Sequence, residues 1–173
     1  MNLLEAFEKI KAFVFDMDGV LTDGTVMVMP GGEWVRTMHI RDGYALQLAV
    51  KKGFHVCVIS GSSSEPVRER LARLGVHDVF MNIPDKQQCL RQYMETKGLD
   101  RDAVLYMGDD IPDLEVSSLA GLSCCPSDAA IDMREIVHYI SPYAGGWGCV
   151  REVIEKAMRV QGQWVTHTGL RSL

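Results

Sequence analysis

Short apolar runs alternate with segments of helical period along almost the whole chain, and this alternation constrains the fold more than any other feature. Such alternation is typical of a mostly parallel β-sheet with helices on both faces. We therefore predict an α/β fold. The predicted strands are 11–16, 55–61, 78–82, 103–110, 122–126 and 138–142, and the predicted helices are 42–52, 62–75, 85–98, 114–119 and 150–161.

Polar side chains end three of the predicted strands. Asp16 and Asp18 follow the first strand, Ser60 lies near the end of the second, and Asp109 and Asp110 end the fourth. In parallel sheets, ligands bind at the carboxyl ends of the strands. We therefore expect these side chains to converge at one edge of the sheet and to form an active site there.

Length and composition indicate one globular domain. The chain has 173 residues, of which 47% are apolar and 24% are charged, and such a chain can bury a sizeable core. We expect a single domain over 1–173, with a C-terminal helix and tail over 148–173 and a loose polar end from residue 166. The net charge of −5 argues against binding to nucleic acid.

The expected location is the cytoplasm, with no membrane partner. The first residues lack the pattern of a signal peptide, and no apolar run approaches the roughly 18 residues of a membrane span. The five cysteines form no CxxC pair, so reduced thiols are expected.

Residues 25–40 interrupt the alternation. Two β-rich arms surround Pro30, Gly31 and Gly32, which predicts a β-hairpin. Its Val, Met and Trp side chains give it more apolar surface than a free hairpin should carry, so we expect a partner subunit to cover it.

Two carboxylates separated by a single residue follow the first predicted strand. Gly19 permits a turn that can point Asp16 and Asp18 into the same cleft. A carboxylate that attacks phosphorus forms an acyl phosphate, which divides one difficult displacement into two easier ones. The second carboxylate can protonate the leaving oxygen and later activate water. Taken alone, the motif could also be an acidic loop that caps a helix.

Ser60, Gly61 and Lys86 supply groups that suit a phosphate. A hydroxyl and backbone N–H groups at a strand–helix junction can bind phosphate oxygens, although serine is also an ordinary helix N-cap. Lys86 begins a predicted helix, where the helix dipole favours anions over cations. It can neutralise a transferring phosphoryl group, and a solvated surface lysine is the alternative.

Three carboxylates, Asp109, Asp110 and Asp113, fall within a short window after Gly108. They repel one another unless a cation lies among them, and hard oxygen ligands select magnesium over zinc. We therefore predict Mg²⁺ as the cofactor. The alternative is an Asp-rich helix N-terminus, which the helix dipole stabilises by only about 0.3–1 kcal/mol per residue.

Together and in this order, the DxDG motif at Asp16, the serine, the lysine and the GDDxxD motif at Gly108 resemble the haloacid dehalogenase superfamily. The resemblance covers nearly the whole chain. It implies a Rossmann-like three-layer sandwich and a magnesium-dependent phosphoric monoester hydrolase that works through an aspartyl-phosphate intermediate.

The resemblance also implies a role for each motif residue. Asp16 is then the nucleophile and Asp18 the general acid and base. The implied phosphoryl-binding residues are Ser60, Gly61 and Lys86, and Lys86 is counted among the catalytic residues. The implied magnesium ligands are Asp16, the backbone carbonyl of Asp18 and Asp109, with support from Asp110 or Asp113.

The spacing of the motifs leaves no room for a cap domain. Only the hairpin separates Asp18 from the helix that begins at Asp42, and the interval between Ser60 and Lys86 is short. In the cap-less branch that looks most similar, hairpins from four subunits form a central barrel and a neighbouring tail reaches the active site. The resemblance therefore implies a homotetramer assembled through the hairpin.

Further matches at 16–24, 41–44, 85–86, 108–110 and 145–152 resemble phosphatases of ketodeoxy sugar-acid phosphates. The implied substrate is the phosphate of an eight-carbon acid from lipopolysaccharide precursor synthesis. The glycine-rich stretch 145–152 is expected to be either a mobile segment that carries a substrate contact or a flexible turn before a helix. The implied substrate-binding residues are Thr22, Asp23, Arg41, Asp42, Gly43 and Arg151.

Two departures from the pattern concern the substrate carboxylate. Many relatives carry a basic residue where this chain has Ser62, and another where it has Trp147. Arg41 and Arg151 could supply the missing positive charge.

Two alternative functions remain open at this stage. One is a phosphatase for a nine-carbon ketodeoxy acid of the sialic-acid type on the same scaffold. The other is a non-catalytic oligomerisation module, which could lose its motif residues without harm. This chain keeps Asp16, Asp18, Lys86 and Asp109, and that argues against the module.

Overall fold

The computed structural model describes residues 1–165, 169, 170 and 173. Most of the tail predicted to be loose therefore lies outside the described residues. The strands are β1 (Ala12–Phe15), β2 (Met27–Val28), β3 (Trp34–Val35), β4 (His55–Ile59), β5 (Asp78–Phe80), β6 (Val104–Met107), β7 (Leu122–Cys125) and β8 (Tyr139–Ile140). The helices are α1 (Leu3–Lys9), α2 (Ile40–Lys51), α3 (Glu65–Arg73), α4 (Lys86–Lys97), α5 (Leu114–Ser117), α6 (Ile131–Ile136) and α7 (Cys149–Val160).

Six strands form one parallel sheet in the order β5-β4-β1-β6-β7-β8. The chain leaves β1 toward β4 and β5 on one side, then returns to β6 and continues outward to β8. The strand order therefore reverses between β1 and β6, and open α/β sheets bind ligands at such a switch point. The predicted α/β fold is confirmed.

The sheet separates two hydrophobic layers because alternate side chains of each strand point to opposite faces. Phe13 and Phe15 pack with α1, α2, α3 and α7 on one face. Ala12 and Val14 pack on the other face with Leu90 of α4 and with residues of α5. The four core positions of β1 are buried, so this strand cannot shift without disturbing both layers.

The hairpin of β2 and β3 stands apart from the sheet. Met27 pairs with Val35 and Val28 with Trp34, in antiparallel register. An isolated bridge between Thr22 and Met38 closes its base. The exposed fractions are 65% for Met27, 64% for Val28 and 57% for Trp34, so apolar side chains on both faces of the hairpin are open in the single chain.

No cap domain is inserted at either position where the spacing excluded one, because residues 22–39 form the hairpin and residues 60–85 form α3, β5 and their connections. Two helices, α1 and α6, were not predicted. None of the helices in the described part of the chain is long and apolar enough to cross a membrane.

Candidate active site

Residues from four chain segments meet beyond the carboxyl ends of β1, β4 and β6. They line a cleft of about 290 Å³. Three of the segments follow β1, β4 and β6, whose carboxyl ends lie side by side in the sheet, and Lys86 follows β5, the edge strand that pairs with β4. The lining residues are Asp16, Asp18, Gly24, Ser60, Gly61, Ser62, Lys86, Asp109, Asp110, Pro112 and Asp113.

The turn after β1 brings the first motif against the second. Asp18 and Gly19 interrupt the helical turn over Met17–Leu21, and Gly19 has a φ of 82°. A Cβ at position 19 would lie only 1.9 Å from Oδ2 of Asp109. Glycine is required here both for the left-handed backbone and for the close approach of the Asp109 carboxylate.

Three carboxylates at this edge can share one cation. One oxygen from each of Asp16, Asp109 and Asp113 lies within 4.8 Å of the others. Burial, helped by the charges of Asp113 and Asp110, raises the pKa of Asp109 to about 7. Burial and the charge of Asp113 raise the pKa of Asp16 to about 8, against the lowering effect of Lys86.

This donor set fits magnesium. It contains only carboxylate oxygens, which Mg²⁺ prefers, and the crowding that raises both pKa values is what a divalent cation offsets. Asp16 and Asp109, predicted as ligands, belong to the set. Of the two predicted supporting residues, Asp113 belongs to it, whereas Asp110 is exposed at the rim of the cleft.

Lys86 joins the nucleophile position to the acidic cluster. Its Nζ lies 3.1 Å from Oδ2 of Asp16 and 2.7 Å from Oδ1 of Asp113. Burial alone would lower the pKa of Lys86, but the charges of these two carboxylates outweigh burial and raise it. Lys86 is therefore a buried, charged ammonium group and not a solvated surface lysine.

Tyr106 is a site residue that sequence reasoning missed. Its hydroxyl, buried within β6, donates a hydrogen bond of 2.5 Å to Oδ1 of Asp113. The backbone N–H of Asp109 donates to Oδ2 of the same carboxylate, at 3.1 Å. A tyrosine inside an otherwise apolar strand needs a polar partner, and that was the available signal.

Asp18 lines the same cleft, and a residue of the hairpin holds its carboxylate. Arg36 donates from Nε to Oδ1 at 2.7 Å and from Nη2 to Oδ2 at 3.2 Å. Ser62 donates from Oγ to Oδ2 at 2.6 Å. Burial would raise the pKa of Asp18, but the hydrogen bonds from Arg36 and Ser62 outweigh it and lower that pKa.

Ser60 and Gly61, which are predicted to bind phosphate, line the cleft just after β4. Only 1% of Ser60 is exposed, and its Oγ accepts a hydrogen bond of 3.1 Å from the backbone N–H of Ser62. This bond closes the strand–helix junction into a tight loop beside Asp18.

The residues predicted to bind substrate are scattered. Thr22 is buried and braces the first motif, because its Oγ1 accepts from the Gly19 backbone and lies 3.4 Å from Oδ1 of Asp18. Asp23 accepts from the backbone and hydroxyl of Thr25. Neither Thr22 nor Asp23 is among the residues that line the acidic cleft.

Four further predicted substrate residues lie outside that cleft. Asp42 is 2% exposed and accepts a hydrogen bond of 2.7 Å from the backbone N–H of Arg151, at the start of α7. Arg151 pairs with Glu155 and lies over the ring of Trp164. Gly43 is buried in α2, and Arg41 is exposed beside the aromatic groove that contains Trp147.

The glycine-rich stretch packs against the first motif. A Cβ on Gly145 would lie 1.8 Å from the carbonyl oxygen of Gly19, and one on Gly146 would lie 2.4 Å from the backbone nitrogen of Asp23. The N–H of Gly146 donates to the carbonyl of Val20 at 2.9 Å. These glycines allow backbone to meet backbone, a reason for the stretch that the sequence did not disclose.

No family model matches the chain, but individual proteins are similar to it. The chain is 31% identical to the 3-deoxy-D-manno-octulosonate 8-phosphate phosphatase KdsC of Haemophilus influenzae, over 92% of this chain and 88% of the relative.

Solved structures are similar over nearly the full length. A 3-deoxy-D-manno-octulosonate 8-phosphate phosphatase from Moraxella catarrhalis, in complex with magnesium, phosphate and KDO, has a TM-score of 0.90 at 30% identity, with 95% of each chain covered. A haloacid dehalogenase (HAD) superfamily hydrolase of subfamily III A from Legionella pneumophila has a TM-score of 0.90 at 32% identity, covering 93% of this chain and 88% of the other.

Proposed function

Because the chain belongs to the 3-deoxy-D-manno-octulosonate 8-phosphate phosphatase family of the haloacid dehalogenase superfamily, we propose that it is a Mg²⁺-dependent phosphatase that releases phosphate from this sugar acid. The observation that carries the proposal is the cluster of Asp16, Asp109 and Asp113 with Lys86 at the switch point of the sheet. A fold alone would not support an activity, but this site has the chemistry of phosphoryl transfer.

Asp16 is the proposed nucleophile. Its Oδ1 accepts a hydrogen bond of 2.7 Å from the Met17 backbone and its Oδ2 faces Lys86, so the carboxylate is fixed at the end of a buried strand. Attack on phosphorus forms a bond between Asp16 and the phosphoryl group and breaks the bond to the sugar oxygen. The resulting aspartyl phosphate is then hydrolysed, which regenerates Asp16.

Asp18 is the proposed proton donor and acceptor. In the first step its protonated form gives a proton to the departing sugar oxygen, and in the second its carboxylate takes a proton from the attacking water. The negative charge of a bound phosphate raises the pKa of a nearby carboxyl, which opposes the lowering of the Asp18 pKa by Arg36 and Ser62 in the free chain. Its side chain lies outside the group that can hold the cation, so its proton transfer is separated from metal binding.

Ser60, Gly61 and Lys86 are the proposed phosphoryl-binding groups. Mg²⁺ held by Asp16, Asp109 and the backbone carbonyl of Asp18 would supply further positive charge opposite the phosphoryl oxygens. Lys86 neutralises part of that developing charge, and hydrogen bonds from Tyr106 and Lys86 together hold the carboxylate of Asp113 in place.

The proposed setting is lipopolysaccharide precursor synthesis in the cytoplasm, and the proposed assembly is a homotetramer that forms through the hairpin. The exposed apolar side chains of Met27, Val28 and Trp34 support an interface at the hairpin. An uncapped cleft also leaves the sugar uncovered within one chain, and a neighbouring subunit could cover it.

The decisive experiment measures phosphate release from 3-deoxy-D-manno-octulosonate 8-phosphate, a nine-carbon ketodeoxy acid phosphate and hexose phosphates, each with Mg²⁺ and with chelator. We expect a strong preference for the eight-carbon substrate that requires Mg²⁺. Activity confined to the nine-carbon substrate would preserve the mechanism and change the substrate.

Asp16→Asn is the matched chemical control for this experiment. We expect a loss of roughly 10⁴-fold or more in kcat, since the loss of a covalent nucleophile disables the whole catalytic unit. Circular dichroism and light scattering should be unchanged. Phosphate release by the variant at the wild-type rate would refute the assignment of the nucleophile.

A further inference from the structure

We propose that Arg36, a residue of the hairpin, is a positioning residue for the proton-transfer carboxylate Asp18. This inference rests on the proposed phosphatase function and adds to it a residue outside the motifs that identified the family. Arg36 links an otherwise exposed segment to a group that must meet the leaving oxygen of the substrate.

The burial of Arg36 sets it apart from the rest of the hairpin. Only 2% of its side chain is exposed, whereas Trp34 and Val35 directly before it are 57% and 46% exposed. The chain therefore buries one long cationic side chain in a segment where Met27, Val28 and Trp34 are exposed. Such a side chain is costly to bury unless it is paired.

Its partner is the carboxylate of Asp18, which it binds through two nitrogen atoms. The distances are 2.7 Å from Nε to Oδ1 and 3.2 Å from Nη2 to Oδ2. A planar guanidinium that binds both oxygens fixes the direction and the plane of the carboxylate, which a single hydrogen bond does not.

Ser62 completes the arrangement from a third segment. Its Oγ donates to Oδ2 of Asp18 at 2.6 Å and lies 3.4 Å from Nη2 of Arg36. One guanidinium thus connects the hairpin, the first motif and the loop after β4. Among the described residues, Arg36 is the basic side chain that forms an ion pair with Asp18.

The expected effect follows from what Asp18 does. A misdirected general acid slows departure of a poor leaving group, such as a sugar alkoxide, because that oxygen needs a proton as its bond breaks. An aryl phosphate with a good leaving group needs little help. A residue that acts through Asp18 must therefore affect the two substrate types unequally.

The test compares kcat/KM for 3-deoxy-D-manno-octulosonate 8-phosphate and for 4-nitrophenyl phosphate in Arg36→Met, which removes the charge but keeps much of the side-chain length. We expect a loss of about 10²-fold on the sugar phosphate and of less than about tenfold on the aryl phosphate. Arg36→Lys, which keeps the charge without the planar fork, should lie between Arg36→Met and wild type. Arg73→Met, at an exposed pair with Glu69, is the control and should change neither value.

Asp18→Asn separates failure of this inference from failure of the proposed function. If Asp18→Asn discriminates between the substrates and Arg36→Met lowers both equally, Arg36 is only structural and the inference is wrong. If Asp18→Asn itself shows no discrimination, the proton-transfer role of Asp18 fails and the inference fails with it.

A double variant guards against indirect damage to the fold. When Asp18 is already Asn, adding Arg36→Met should cause little further loss on the sugar phosphate, because the group that Arg36 positions can no longer transfer a proton. A full additive loss would mean that Arg36 acts elsewhere and would overturn the proposal. Light scattering and circular dichroism on each variant report whether assembly and fold are kept.

Discussion

The two carboxylates of the first motif are held by different parts of the fold, Asp16 by the parallel sheet and Asp18 by the hairpin. Asp16 lies at the carboxyl ends of the strands, a region that we call the sheet edge, together with Lys86, Asp109 and Asp113. Each of these residues belongs to a segment that follows a strand of the sheet. Asp18, two residues further along the chain, belongs to the hairpin side and is held by Arg36.

The environments of the two carboxylates differ in the same way. Burial among like charges raises the pKa of Asp16, whereas hydrogen bonds from Arg36 and Ser62 overcome burial and lower the pKa of Asp18. A single chain thus supplies, at the sheet edge, the carboxylates that can hold a cation and the lysine that can bind a phosphoryl group. The hairpin side depends on a segment whose apolar side chains are exposed in the single chain.

Lys86→Met should produce the largest effect on the sheet edge. It removes the only cation that the described residues place between Asp16 and Asp113, and we expect roughly 10²–10³-fold lower kcat. Breaking one partner of a buried ion pair also costs about 3–5 kcal/mol of unfolding free energy. Urea unfolding in chelator measures this, and Mg²⁺ should restore part of the stability.

The matched control for that change is Lys9→Met, at an exposed pair with Asp102. Its kcat and unfolding free energy should stay close to the wild-type values, since exposed pairs contribute at most about 1 kcal/mol. Equal effects of the two substitutions would show that the sheet edge is not preorganised as described.

Gly146→Ala tests the close contact between the glycine-rich stretch and the backbone of Asp23 on the hairpin side. Gly146 and Gly162 have φ values of 68° and 67°, but a Cβ at 146 would meet the Asp23 backbone at 2.4 Å and one at 162 would meet nothing within 4 Å. Gly162→Ala should therefore cost only the left-handed strain, about 1–2 kcal/mol.

Gly146→Ala should cost a further 1–3 kcal/mol or so, because backbone must move against backbone. It should also lower kcat, since the displaced segment carries the loop of Asp18. The comparison of the two variants by thermal unfolding isolates the close contact from the strain. A loss of stability that is the same in both would mean that the Asp23 loop yields freely.

The sheet edge was largely predictable from sequence because its signals are contiguous. Each core strand is a continuous apolar run followed within a few residues by a polar group, and parallel strands bring their ends together. The order of Asp16, Ser60, Lys86 and Asp109 along the chain therefore anticipated their meeting, and the structure brings all four to one cleft.

The hairpin side could not be predicted in the same way. The pairing of Arg36 with Asp18 depends on how far a two-stranded hairpin folds back, which no local periodicity reports. Tyr106 resembled a core residue because its hydroxyl partner, Asp113, follows only after a turn. The short helices α1 and α6 were missed because seven and six residues give little helical period to recognise.

The unfolding free energy of the metal-free protein should depend on pH with opposite signs for the sheet edge and for Asp18. The pKa values of about 8 for Asp16 and about 7 for Asp109 lie above the ordinary value of an aspartate, so the folded state binds more protons than the unfolded state between about pH 4 and pH 8. Unfolding free energy must then fall as pH rises through that window.

Asp18 contributes with the opposite sign, since its lowered pKa gives stability that is lost on acidification below the ordinary aspartate range. Thermal unfolding in chelator at pH 5 and pH 8 should therefore show lower stability at pH 8. Mg²⁺ should stabilise most at pH 8, where it no longer competes with protons. Equal stabilisation by Mg²⁺ at both pH values would remove Asp16 and Asp109 from the metal site.

Trp34→Glu should have the smallest effect on the isolated chain and the clearest effect on assembly. Trp34 is 57% exposed, so its replacement should change the unfolding free energy of one chain by no more than about 0.5 kcal/mol. A charge on the open face of the hairpin should nevertheless weaken any contact that covers it. Ile131→Glu, at a 70% exposed position on α6, is the matched control.

We expect smaller species by light scattering for Trp34→Glu and no change for Ile131→Glu. If displacement of the hairpin also displaces Asp18 through Arg36, the smaller species should lose more activity on a sugar phosphate than on an aryl phosphate. Dissociation with an unchanged ratio of the two activities would mean that the hairpin holds Asp18 without help from a partner. Unchanged assembly would place the subunit interface on another surface.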